Sequence, residues 1–219
     1  MKNADWYFDF ISPYAYLQTH RLDELAAHAN IRPKPVLFAG LLNHHGQLGP
    51  AEISPKREFV FRQSLWQAKR EGIDMKLPPA HPFKPLPPLR LAIALDCDLA
   101  AIRSIFDFIW REGRDVDDAD EWAQLTKSLG VDDAAQTLSQ EHIKQALREN
   151  TEEAIAKGVF GVPTLVVDNE LFWGHDAADF FLDYLRDPAT MESKVFKPVD
   201  NLAETAVQRK QQPKGKPGQ

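Results

Sequence analysis

Strand-forming signal in this chain is confined to two short regions near its ends, and that distribution narrows the folds open to it. Residues 5–11 (DWYFDFI) form an aromatic and apolar run with little alternation, as expected of a strand covered on both faces. Residues 163–174 (PTLVVDNELFWG) hold two further apolar runs around Asp168-Asn169, the composition of a two-residue hairpin turn. Apart from one apolar run within 33–42, everything between has helical spacing or is dense in proline. A single sheet must therefore be assembled from segments far apart in sequence.

The remaining elements follow from periodicity. After Ser12-Pro13 the positions Tyr14, Leu17, Leu22, Leu25 and Ala26 recur at helical spacing to about residue 29, predicting one helix. An apolar run within 33–42 (PKPVLFAGLL) predicts the second strand, so the chain opens β-α-β. Helices are predicted from Ser54 within 49–73, over 89–113, near 120–129, over 142–158 and over 177–187, while 77–89 (LPPAHPFKPLPPL) reads as a connection. The resulting order, β-α-β, a helical block, then β-β-α, is that of an α/β chain with a thioredoxin-like core interrupted by a helical insertion. Its expected division is 5–42 plus 159–187 for the core, 43–158 for the insertion, and 188–219 for a mobile C-terminal arm.

Composition limits the functions such a chain performs. The formal net charge is −6 and hydrophobic residues make up 43 %, which supports a sizeable core and argues against a nucleic-acid surface. Only 207–219 (VQRKQQPKGKPGQ) is basic. No leader pattern opens the chain and no run approaches a membrane span. The single cysteine, Cys97, cannot form an internal disulfide, and its flank ALDCDLAA reads as helix with a packed thiol. These features predict a cytoplasmic protein with no membrane or nucleic-acid partner.

In a thioredoxin-like core the reactive group stands at the start of the first helix, where this chain has Ser12-Pro13-Tyr14-Ala15 and no dithiol. Thiol–disulfide exchange by the protein itself is thereby excluded. The run FDFISPYAYL, the Lys56-Arg57 stretch and KGVFGVPTLVVDNELFWGHD together resemble the 2-hydroxychromene-2-carboxylate isomerase family, a relative of kappa-class glutathione transferases and, more distantly, of disulfide oxidoreductases. The resemblance covers roughly 5–187. It implies a homodimer that uses glutathione as cofactor and acts on a small aromatic or conjugated substrate.

Residue by residue, the resemblance makes Ser12 the catalytic hydroxyl that hydrogen-bonds the glutathione sulfur. Val162 becomes the backbone edge for the tripeptide, with Pro163 in cis, and His175 and Asp176 the pair that holds its γ-glutamyl end. Gln47 stands where the family often has a glutathione-binding asparagine. Asp176 also precedes a predicted helix, so capping is its other reading. Gln63 and Trp66 replace charges common in the family, which suggests a more apolar acceptor pocket. Phe83 and Lys84, in the proline-dense connection, are the candidate substrate contacts.

Three bland readings complete the list. Adjacent His44 and His45 diverge and lack further ligands, so they read as loop residues, not a metal site. Trp110 and Trp122 read as core aromatics. Nothing like G-x-S-x-G surrounds Ser12, which argues against a hydrolytic nucleophile. Two rival functions remain open: a kappa-like glutathione transferase, and a non-catalytic thioredoxin-like binding module.

Overall fold

The computed structural model describes residues 1–200 and 202. Four strands, β1 (Lys2–Phe8), β2 (Ala29–Pro35), β3 (Thr164–Val167) and β4 (Glu170–Trp173), form one sheet in the order β2-β1-β3-β4. β1 runs parallel to β2 and antiparallel to β3, and β3 is antiparallel to β4. That is the thioredoxin arrangement anticipated from element order. The helices are α1 (Pro13–Thr19), α2 (Leu22–Ala26), α3 (Phe38–His45), α4 (Ser54–Glu71), α5 (Leu86–Ala94), α6 (Leu99–Phe106), α7 (Ala119–Ser128), α8 (Ala134–Ser139), α9 (Glu141–Ala156) and α10 (Ala178–Arg186). Among the described residues no helix is long and apolar enough to cross a membrane.

The central strand explains its own composition. Ala4, Trp6 and Phe8 join the main core on one face, where Trp6 stacks on Phe8 at 4.3 Å and Phe8, Phe10 and Phe106 pack ring to ring. Tyr7 enters a smaller core on the other face with Leu41, Ala154, Val162 and Val166. Both faces are covered, so the strand reads as a continuous apolar run. At the hairpin, Asp168 and Asn169 take φ of 51° and 68°, as the predicted turn requires.

Several predicted elements differ. The second strand is residues 29–35 (ANIRPKP), ahead of the apolar run that marked it; much of that run forms α3, whose last turn carries His44 and His45. β2 is an edge strand, which tolerates Pro33 and Pro35 and solvent-facing Asn30 and Arg32, and so carries a weak apolar signal. The first helix breaks at His20 and Arg21, whose amides close tight bonds onto Leu17 O and Gln18 O. The helix predicted over 89–113 is also broken: Asp96 and Cys97 adopt φ of 53° and 54°, and Asp98 caps α6 through the Ala101 amide at 2.9 Å. Cys97 thus lies in a turn. α5 begins inside the proline-dense segment, with proline confined to its first turn.

The segment after α10 is not featureless. A 3₁₀ turn, Pro188–Glu192, is capped by Asp187, and Phe196 stacks over Phe180 at 5.8 Å. The basic stretch 207–219 lies outside the described residues.

On the smaller-core face, α9 is tied to the sheet by ions. Lys157 Nζ binds Asp5 at 2.7 Å and Glu153 at 2.6 Å, and Glu153 also accepts from Lys34 and Tyr7, each at 3.0 Å. Against the opposing effect of burial, these donors hold the Glu153 carboxyl down at about 2. A depressed carboxylate contributes stability that is present above its unfolded value near 4.5 and is lost as pH falls through about 2. Urea unfolding of Glu153→Gln against the parent is therefore expected to show its largest deficit above about pH 4.5, closing toward pH 2. A deficit independent of pH would mean that packing, and not charge, sets the role of Glu153.

Candidate active site

The site is built where β1 hands over to α1. Ser12 takes the extended N-cap conformation, φ −90° and ψ 116°, and Pro13 opens the helix. Its Oγ accepts the Ala15 amide at 3.2 Å and donates to Val162 O at 3.3 Å. Val162–Pro163 is a cis peptide, and the Ser12–Val162 bond sets the start of α1 against the loop before β3. Ser12 is only 7 % exposed. The helix-cap reading is therefore true, and the same hydroxyl also meets the loop before β3.

Asp9 holds the turn that carries Ser12. Fully buried, it accepts the Ile11 amide at 3.1 Å through Oδ1 and the Phe38 amide, at the start of α3, at 3.0 Å through Oδ2, while its carbonyl accepts from Ser12 N. Burial pushes its carboxyl up to about 7, with the backbone donors pulling the other way. Gln18, also fully buried, links Trp6 Nε1 at 2.7 Å to Gly174 O at 3.0 Å. Apolar periodicity missed both residues. The signals were present: a lone acid inside FDF, and a polar residue on the buried side of an otherwise apolar helix.

The residues assigned by resemblance divide in position. Ser12, Val162 and Pro163 come together. Asp176 is exposed and its charge acts on Tyr14, whose hydroxyl, raised mainly by burial, donates to Gln63 at 2.8 Å. Gln63 thus reaches the first turn of α1 through Tyr14, whose helical spacing carried no sign of that bond. Gly174 at φ +98° leaves room for Asp176, whose Oδ1 would stand 2.5 Å from any added Cβ. His175 turns inward: 4 % exposed, its Nε2 meets the Glu71 carboxylate at 2.9 Å. A ligand would meet the backbone of His175 before its ring. Gln47 is exposed in the loop after α3.

The other candidates are packed or paired within the helical block. Phe83 is 5 % exposed and part of the main core, and Lys84 points to Asp117 at 3.6 Å. Trp110 is fully buried and Trp122 packs against the main core, as their aromatic character predicted. A separate cavity of about 440 Å³ opens beside Tyr16, His20, Glu71 and Arg111.

A thioredoxin sheet with a serine in place of a dithiol, a cis-proline loop opposite it and a helical layer inserted between β2 and β3 defines a non-dithiol thioredoxin-fold protein. The model of the DSBA-like thioredoxin domain matches residues 4–186, and the chain belongs to that family. It is 31 % identical over 194 residues to a 2-hydroxychromene-2-carboxylate isomerase of Sphingobium xenophagum, covering 85 % of this chain and 99 % of the relative. It is 26 % identical to glutathione S-transferase kappa 2 of Caenorhabditis elegans, covering 85 % and 93 % of the two chains. A solved 2-hydroxychromene-2-carboxylate isomerase superposes with a TM-score of 0.72 at 25 % identity, over 92 % of this chain and 100 % of that one. Its relatives are thus isomerases and kappa-class transferases, which makes an enzyme of that general kind the conclusion from homology.

Cys97 is not part of this arrangement. Burial pushes its thiol up to about 11 against the pull of Lys34, so it is protonated at neutral pH and a poor nucleophile. Cys97→Ser is expected to keep turnover within about twofold, since a protonated, packed thiol contributes no nucleophile. A folded serine variant without activity would make Cys97 the working nucleophile.

Proposed function

We propose that this protein is a glutathione-dependent isomerase of the 2-hydroxychromene-2-carboxylate type, acting on a small aromatic or conjugated electrophile. The observation that carries this reading is the Ser12 hydroxyl, 3.3 Å from Val162 O beside the cis proline, in a chain 31 % identical to such an isomerase. The cysteine sulfur of glutathione would lie within reach of this hydroxyl, beside the cis-proline loop. Val162 offers its backbone to the tripeptide, Asp176 a carboxylate to its ammonium, and Gln47 an amide at the far side.

Ser12 suits this role because its oxygen already accepts a backbone amide while its hydrogen, given to Val162 O at 3.3 Å, can turn to another acceptor. Rotation about Cβ–Oγ exchanges Val162 O for a sulfur anion. A thiol with an ordinary value of about 8.5 is mostly protonated at neutral pH, and a donor at a helix start lowers that value. The thiolate adds to a conjugated carbon: the C–S bond forms and the π pair moves toward the acceptor's electron-withdrawing group. The former double bond rotates, the pair returns, and the thiolate leaves unchanged.

A kappa-like transferase is the second reading, favoured by the similarity to the nematode enzyme. It uses the same sulfur site and releases the adduct. The homodimer is likewise a proposal, supported by Phe59 at 62 % and Trp66 at 56 % exposure on α4, apolar area of the kind that a second copy covers. A reducing, cytoplasmic setting fits a cofactor thiol.

Titration calorimetry with glutathione, followed by turnover of chromene carboxylates with product analysis, tests the proposal. Binding with glutathione recovered unchanged supports the isomerase. A released thioether supports the transferase. Absence of binding leaves a thioredoxin-like binding module and sinks both enzyme readings.

A further inference from the structure

Residues 8–12 cross from β1 to α1 through a tight turn, and two of its carbonyls are held by the inserted helical block. Trp110 Nε1 donates to Phe10 O at 2.8 Å, and His81 Nε2 lies 2.9 Å from Ile11 O. A carbonyl oxygen only accepts, so Nε2 carries the proton and Nδ1 carries the lone pair. Nδ1 is buried with no hydrogen-bond partner among the described residues. The ring sits among Phe61 at 4.9 Å, Phe83 at 6.0 Å and Trp110 at 6.0 Å. Such surroundings disfavour the imidazolium, and burial holds the His81 ring below its ordinary value.

The elements that present these two donors are irregular. His81 stands in the proline-dense connection, and Trp110 in a π-helical turn, Asp107–Arg111, that continues α6. A π turn rotates the side chains that follow it, a common feature next to functional residues. An orphaned Nδ1 costs free energy that an apolar side chain of similar shape would not. The donor at Nε2 is the feature that a histidine supplies here and a phenylalanine does not.

We propose that His81 and Trp110 form a two-point clamp on the carbonyls of Ile11 and Phe10, with His81 a positioning residue that sets where the Ser12 hydroxyl stands. Ile11 is gripped on both sides, its amide by Asp9 and its carbonyl by His81, and the next peptide bond carries Ser12. The catalytic consequence rests on the glutathione reading above; the clamp itself does not. Phe83 then acts behind His81, as packing, and the proline-dense segment serves the site through the His81 ring.

Two amide variants of similar polarity separate the donor from the packing. In His81→Gln the side-chain nitrogen reaches the Nε2 position, whereas in His81→Asn it stops near Nδ1 and leaves Ile11 O unmet. Hydrogen exchange at the Ser12 amide of the ligand-free protein is expected to quicken about tenfold in H81N and to stay within about twofold in H81Q. In the glutathione complex, the thiol's titration should move up by about one unit in H81N alone, with turnover near pH 7 falling about tenfold and glutathione affinity kept within about threefold. Equal exchange in both variants and the parent, or an equal loss in both, overturns the clamp. A parent complex whose thiol is unshifted overturns the glutathione reading and leaves the exchange result to decide the clamp. Should either variant fail to fold, Trp110→Phe, which removes the partner donor and keeps a ring, must reproduce the faster Ser12 exchange or the clamp is wrong.

Discussion

Ser12→Ala is expected to leave the fold and most glutathione affinity intact while raising the bound thiol's titration by about one to two units, a loss of about 1.5–3 kcal/mol for one charge-assisted hydrogen bond. Affinity should persist because the tripeptide's backbone and its γ-glutamyl end would be met at Val162 and Asp176, outside the substituted side chain. Turnover near neutral pH should fall about ten- to a hundredfold, recovering as pH rises past the new titration. Losing the bond to the Ala15 amide adds about 1 kcal/mol of helix-cap destabilisation, which a core of this size survives. Ultraviolet absorbance of the thiolate against pH, for parent and variant complexes, gives the answer. Superimposable titrations in a folded, saturated variant would leave Ser12 as a helix cap only.

Asp9→Asn should produce the largest change in stability against pH. The native carboxyl titrates at about 7 and the ordinary value is 3.8, so the folded protein holds a proton that the unfolded chain releases. For a raised carboxyl the contribution is fully present below about pH 3.8, declines as pH rises, and is lost through about pH 7. Three units correspond to about 4 kcal/mol at most. The asparagine lacks this titration, and its amide nitrogen faces one of two donors, Ile11 N or Phe38 N, at a cost of about 1–3 kcal/mol. Urea midpoints should therefore show the variant well below the parent at pH 5, with the gap narrowing or reversing by pH 8. Parallel curves across that range would show that Asp9 is not titrating near neutrality.

The fold was legible where one local requirement dominates a stretch. β1, α4, α7, α9 and the β3-β4 hairpin declared themselves because their residues answer to one dominant requirement, apolar periodicity or a turn with positive φ. β2 did not, because an edge strand keeps one side for solvent and tolerates proline. The breaks at residues 20–21 and 95–98 were also hidden: each is decided by a few local hydrogen bonds and by how two short helices must pack on a sheet already in place. Motif resemblance marked Ser12, Val162, Pro163 and Asp176 as candidates, and the structure brings the first three together. The contacts of Tyr14, Asp9, Gln18 and His81, and the bond that ties Gln63 to Tyr14, were not legible, since they depend on partners between 2 and 156 residues away.

By itself, the sequence determined the class of sheet, the absence of a dithiol and the place of the serine, because strand burial, cysteine count and a Ser-Pro helix start are properties of short stretches. Only the tertiary structure decided that Ser12 meets Val162 O, that His175 turns inward to Glu71 while Asp176 remains outside, and that the inserted block grips the turn before Ser12. The physical reason is common to all three. A side chain's chemistry is written in its type, but its hydrogen-bond partner is chosen by which distant backbone the packed core brings within about 3 Å.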